Sequence, residues 1–362
     1  MQANDPDPIE AAAFAVTTGT RSAPATPIRF GGWQLWIGAI FSLGFIFLVL
    51  RDVHLADVAN ALSQVNPGLM LLAVASFVVT GVAKAARWRM LFALRQKPSL
   101  GRAFSVLSIA IMLNSFAPAR LGELARAYLI GEDGVNSKTY ALGTIAVEKV
   151  SDLIFLVLTL SLLLSQMALP DWLAGPARAT ALVIAVLVPL FLLLAWQNQL
   201  VLRALRRISG RLSRGWGEWL FEVLRGLESL QVLRHPRLLL GLTAWSALIL
   251  VLGASTNYIV FAALGLNLSV WAALLLLVVL QVGVAVPSSP GRIGVFHYLV
   301  VLALSIFGIA KEIALGYSVV LYLVVYVPIA VIGGYCLWRE KVTWQKLAEA
   351  AAALNRLGRK AQ

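Results

Sequence analysis

Long apolar runs separated by short polar stretches occupy the chain from residue 33 to residue 338. A helix that crosses a bilayer needs ~20 mostly apolar residues. Six runs approach or exceed that length: 33–50, 68–85, 141–164, 179–196, 238–262 and 314–338. Two further apolar runs, 104–128 and 274–297, are interrupted. Each breaks at a proline (Pro118, Pro287), meets a glycine four residues on (Gly122, Gly291), and resumes as helix-forming sequence. An interrupted helix leaves backbone groups without partners, so within a bilayer it survives only in a protein interior or beside a polar cavity. The pattern predicts an all-α, polytopic membrane helix bundle with about six full spans and two proline-broken, re-entrant hairpins.

The broken runs fall at matching places in two halves, about 33–166 and 177–338, each reading span, span, hairpin, span. Run 293–309 is long enough to cross as a full helix, so re-entrant and crossing readings both stand for it. All but five of the 30 Lys and Arg residues fall on one side of this arrangement. The exceptions are Arg51, Arg178 and Lys311 opposite, with Lys149 and Arg292 inside apolar runs. Basic residues beside membrane spans mark the cytoplasmic face, which puts both termini in the cytoplasm. The two hairpins then enter from opposite faces, making an inverted repeat. Paired interrupted helices of that kind point to a transport site between the repeats.

Outside the spans, residues 1–32 read as a disordered cytoplasmic tail rich in Ala, Pro, Thr and Asp, without the charged-then-apolar order of a cleavable signal. Residues 197–237 form a cytoplasmic connection in which leucines recur at helical spacing among arginines. It suits a helix lying on anionic inner-leaflet lipids, or equally one packed on the protein's own cytoplasmic face. Residues 339–362 are a basic cytoplasmic tail.

Composition agrees: 60% hydrophobic and 13% charged residues, with a mean hydropathy of +0.83, exclude an ordinary soluble domain. The net charge of +13 comes without any nucleic-acid recognition motif, and its placement is explained by the membrane. Cys336 has no cysteine to pair with. His54, His235 and His297 lack metal-ligand spacing, and no phosphate loop or dinucleotide fingerprint occurs. No metal or cofactor is predicted.

The candidate chemistry sits in and beside the broken runs. Asn114, Arg120, Glu123 and Arg126 surround the first break. Arginine grips phosphate through parallel hydrogen bonds, and a helix restarting after Gly122 directs free amides at an anion. Alternatively, Glu123 and Arg126, three residues apart, neutralise each other. In the next run Glu148, Lys149 and Asp152 interrupt apolar sequence. Charges within a bilayer normally face an interior or a wet cavity. Lys149 can reach Asp152 at the i, i+3 spacing, and one carboxylate can pair with Arg120 or Arg126. Around the second break lie Gln281, Ser288, Ser289, Arg292 and His297, with Pro287, Pro290, Gly291 and Gly294 shaping the turn. His297 reads either as titratable or as a hydrogen-bonded packing residue. Lys84 and Arg87, closing the second span, read as snorkelling to lipid phosphates.

These motifs give the chain its resemblance to the lysylphosphatidylglycerol synthase transmembrane-region family, also called flippase-like membrane proteins. The residues that carry it are Asn114, Pro118-Ala-Arg-Leu-Gly-Glu-Leu-Ala-Arg126-Ala-Tyr128, then Glu148-Lys-Val-Ser-Asp152, then Pro287-Ser-Ser-Pro-Gly-Arg-Ile-Gly-Val-Phe296. The resemblance implies a multi-pass protein of the bacterial inner membrane that moves a lipid between leaflets. The two-part synthases add a soluble aminoacyl-transferase domain. A chain ending at Gln362 is expected to lack it and not to aminoacylate lipid. His297 stands where many relatives have an acidic residue, which leaves headgroup preference open. The leading expectation is a lipid flippase, not an enzyme, acting on an aminoacyl-phospholipid, hopanoid or isoprenoid-linked lipid. A separate lipid synthase or a second copy is a possible partner. The rivals are a transferase acting on a lipid-linked substrate and a scaffold docking such a synthase through residues 197–237.

Overall fold

The computed structural model describes residues 32–51, 53–117, 121–132, 137–167, 175, 178–186, 189, 229–283 and 289–342. Among these, every regular element is helical: α1 Gly32–Leu50, α2 Leu55–Ser63, α3 Pro67–Met90, α4 Leu100–Phe116, α5 Gly122–Gly131, α6 Lys138–Gln166, α7 Pro236–Ala263, α8 Val270–Gly283, α9 Val295–Ser305 and α10 Lys311–Arg339. Single 3₁₀ turns occupy Ser229–Arg234 and Pro290–Arg292. Helices α3, α7 and α10 are long and apolar enough to cross a membrane. Helix α6 has the length, at 29 residues, and holds Glu148, Lys149 and Asp152 within it. Leu71, Leu240 and Val331 point outward largely uncovered by protein, as lipid-facing side chains do. The chain is a multi-pass helical membrane protein.

Local sequence sets the helix ends. Asn66 starts α3 by accepting from the amides of Gly68 (2.9 Å) and Leu69 (3.1 Å), with Pro67 at the first helical position, where no donor is needed. Ser99 caps α4 through the amide of Arg102 at 3.1 Å. Helix α4 stops at Ala117, whose extended backbone (φ −89°, ψ 144°) is what a following proline demands.

The halves share one plan. The same spacing separates Pro67 from Pro236, Pro118 from Pro287 and Gly122 from Gly291. Exchanging α3 with α7, α4 with α8, α5 with α9 and α6 with α10 maps the helix contacts onto themselves. Thus α4 packs on α10 as α8 packs on α6, and each second hairpin arm packs on the span that follows it. The equivalent helices α3 and α7 form the most extensive pair and run antiparallel. The amide of Asn66, before α3, bonds the Ala263 carbonyl ending α7 at 2.9 Å, while Met90 at the far end of α3 abuts Gly241 near the start of α7. Equivalent helices running oppositely make this an inverted repeat.

Two expectations change, and one open reading narrows. Helix α2, not expected from the apolar pattern, packs on α10. The second hairpin starts at Val270 rather than 274. Its returning arm, α9, has 11 residues, or ~16 Å at 1.5 Å per residue, half of a ~30 Å hydrocarbon core. That arm is too short to cross such a core as a helix by itself. Residues 179–186 and 189 of the predicted span 179–196 are helical; the rest of it, most of the connection 197–237 and most of the two tails lie outside the described residues.

Candidate functional site

In the first hairpin, Asn114 on α4 replaces the lost helix bonds. Its Oδ1 accepts from the Gly122 amide at 2.8 Å, and its Nδ2 donates to Glu123 Oε2 at 2.9 Å. Position 122 has no room for a side chain, because a Cβ there would strike the Ala110 carbonyl oxygen. Glu123 is thereby fixed, and its other oxygen meets Lys149 Nζ at 3.3 Å. Both predicted intrahelical pairs therefore give way to pairs between helices. Glu123 goes to Lys149 rather than Arg126, and Lys149 goes to Glu123 rather than Asp152.

Deeper in the same half lies an ionic quartet, buried at Arg87, Arg126 and Glu148 and partly open at Asp152. Arg126 Nη2 sits 2.6 Å from Glu148 Oε2, and its guanidinium lies 4.1 Å over the Trp88 ring. Arg87 bridges both carboxylates, 3.4 Å from Glu148 Oε1 and 2.7 Å from Asp152 Oδ1, and donates to Ser246 at 2.9 Å. Ser246 in turn bonds Ser151 at 2.9 Å, and the Trp88 indole donates to Thr144 at 3.1 Å. Arg87 does not snorkel. Its side chain is 1% exposed, because two carboxylates one turn apart on α6 need two guanidiniums and Arg126 supplies one. The quartet is neutral as a set, with only the Nε atoms of Arg87 and Arg126 unpaired among its buried side-chain polar atoms.

The second hairpin is held by α1 and α10. The Ser289 amide donates to Ser42 Oγ at 3.0 Å, and that hydroxyl donates to Ser289 Oγ at 2.8 Å. Gly291 (φ +77°) and Gly294 (φ +90°) turn the chain, and the Gly291 carbonyl accepts from Tyr322 at 3.0 Å. Ser289 therefore faces α1. His297 bonds Ser318 at 2.8 Å and lies within an aromatic group with Phe296 and Tyr322, the arrangement of a packing residue.

Between the halves lies a cavity of about 640 Å³. Its polar lining includes Lys84, Asn114, Glu123, Lys149, Gln281 and Arg292, contributed by both hairpins and by α3 and α6. A smaller chamber of about 240 Å³ extends towards α7 and α9. The two share a wall that includes Thr80, Lys84, Gln281, Arg292 and Tyr326. Of the candidates read from sequence, Asn114, Glu123, Lys149, Gln281 and Arg292 come together here. Arg126, Glu148 and Asp152 are engaged in the quartet, while Ser289 and His297 face elsewhere. Arg120, Ser288, Pro118 and Pro287 lie outside the described residues. Lys84 is the cavity residue read as snorkelling; a cation three residues before Arg87 on the same helix was the available signal.

An inverted repeat of spans and paired hairpins around a chamber with charged residues in its lining defines a multi-pass helical membrane protein. The family described as "Lysylphosphatidylglycerol synthase TM region" matches residues 35–333, and the chain belongs to that family. It is also similar to a UPF0104 membrane protein of Methanocaldococcus jannaschii, at 25% identity over 230 residues, covering 62% of this chain and 92% of the archaeal one.

Proposed function

We propose that this protein carries the polar headgroup of a membrane lipid between leaflets, through the cavity between its hairpins, while the acyl chains stay in the bilayer. The supporting observation is the cavity itself. At about 640 Å³ it falls within the ~300–1,000 Å³ of small-molecule sites, and its charged lining comes from both halves of the bundle. Its residues hold and shield a headgroup rather than make or break bonds, so the reading is of a carrier, not an enzyme. The face bearing Arg102, Arg339 and the start of α6 carries the basic excess and would be cytoplasmic, in a bacterial inner membrane.

The test is a leaflet-resolved assay with labelled lipid in reconstituted vesicles. The wild-type chain should equilibrate lipid faster than protein-free vesicles, and Ser108→Trp, which fills the cavity, should remove most of that rate. Transfer no faster than in empty vesicles rejects transport. Undiminished transfer by the filled variant rejects this cavity as the route.

A further inference from the structure

Four acidic or basic side chains line the larger cavity: Lys84, Glu123, Lys149 and Arg292. Glu123 and Lys149 cancel one another at 3.3 Å, and Asn114 holds the second carboxylate oxygen. Lys84 and Arg292 have no ion-pair partner among the described residues. The charges that reach Lys84 are the carboxylates of Asp152 and Glu148, already bound by guanidiniums, and the opposing cations Arg87 and Lys149. Both free cations stand on the wall common to the two chambers, where a group passing from one to the other must meet them.

Arg292 is also placed at a conformational cost. Its φ of +56° lies in the left-handed region that residues with a Cβ avoid. The surroundings enforce it: the Arg292 amide bonds the Ser289 carbonyl at 2.9 Å, and Tyr322 grips Gly291 at 3.0 Å. Strain of this kind persists where the fold over-determines it and clusters at functional sites. Counting from the matched glycines, Arg292 occupies the place in the second hairpin that Glu123 occupies in the first. The repeat has thus put a cation where its twin has an acid, and Lys149 neutralises the acid alone.

Two uncompensated cations facing a chamber within an apolar bundle call for about two negative charges. A phosphomonoester carries roughly −1.5 to −2 at neutral pH and offers three acceptor oxygens. A phosphodiester carries a single negative charge, and an amine-bearing headgroup brings a cation beside Lys84. We propose that the cavity selects phosphomonoester headgroups, bound jointly by Lys84 and Arg292. This rests on the transport reading above and names its substrate class.

The test uses the full chain in nanodiscs and measures binding of short-chain phosphatidic acid, short-chain phosphatidylcholine and inorganic phosphate. Phosphatidic acid should bind at least tenfold more tightly than phosphatidylcholine. Lys84→Gln and Arg292→Gln should each remove most of that preference, with Lys84→Arg retaining it and Lys311→Gln, on the opposite face, leaving it unchanged. Thermal unfolding of each variant separates lost binding from lost folding. Equal affinity for the two lipids, or a preference that survives the well-folded Lys84→Gln/Arg292→Gln variant, overturns the phosphomonoester assignment while leaving lipid transport standing. If inorganic phosphate binds as tightly as phosphatidic acid and neither lipid is moved in vesicles, the site serves a soluble anion. Transport of lipid is then the reading that falls.

Discussion

The two halves of this bundle share one helix plan and differ in what they bury. By the spacing that relates Pro67 to Pro236, Arg87 corresponds to Thr256, Trp88 to Asn257 and Glu148 to Tyr317. In the first half these positions hold an ionic quartet. In the second, Thr256 bonds Ser76 at 2.9 Å, and the Tyr317 hydroxyl donates to the Asn257 carbonyl at 3.2 Å. Neutral hydroxyls and rings there fill the space that charges fill in the twin. One backbone arrangement thus tolerates both solutions, because each leaves its hydrogen-bonding groups almost wholly paired. The difference is in what removal of one member costs.

Glu148→Ala is the largest effect expected. It strands the buried Arg126 guanidinium and leaves Arg87 with Asp152 as its one carboxylate, and breaking a buried ionic pair costs about 3–5 kcal/mol. Tyr317→Phe, at the matching position, removes one neutral hydrogen bond worth about 1 kcal/mol. Unfolding of both variants in the same detergent measures the gap, and equal losses would break the comparison.

The hairpin tips come next. A methyl at Gly294 faces a φ of +90° and lies 2.5 Å from the Ser42 carbonyl oxygen. At Gly122 the backbone is unstrained, but the Ala110 carbonyl oxygen blocks the space. Both alanine variants should lose about 2 kcal/mol or more, Gly294→Ala the more severely because strain adds to overlap. Reversal of that order, read from unfolding midpoints, would mean that close packing outweighs backbone strain. Tyr322→Phe should be milder, about 1 kcal/mol, through the lost bond to the Gly291 carbonyl.

Much of this plan is legible in the chain itself. Pro118 and Pro287, each followed by a glycine, mark the hairpins because proline and glycine act on the backbone directly, whatever packs around them. The placement of charge is harder to read. Glu123 with Arg126, and Lys149 with Asp152, look like intrahelical partners, yet both pairings yield to partners on other helices. Spacing along one helix shows who can meet and is silent about a nearer neighbour on the next. Arg87 illustrates the same limit, since the end of a span is where snorkelling is ordinary. A tally of charge was the available corrective, because Glu148 and Asp152 one turn apart need more cations than Arg126 provides. Helix α2 is not legible in the sequence because nine residues of mixed character between two spans read as a loop.

The smallest effect concerns the more exposed ion pair of the first half, and it tests whether enclosure or charge sets the cost. Lys149 and Glu123 meet at 3.3 Å with side chains 54% and 30% exposed. Pairs this open contribute about 0–1 kcal/mol, and Asn114 still holds Glu123 when the lysine is gone. Lys149→Ala should therefore cost under about 1 kcal/mol at low salt, and the loss should shrink towards nothing near 1 M salt, where the screening length is about 3 Å. The loss in Glu148→Ala should persist across the same series, since enclosed pairs are screened far less. A salt response common to both variants would place the Arg126–Glu148 pair in contact with solvent. The contrast between an ionic half and a neutral half would then reduce to a difference in residue type, without a difference in burial.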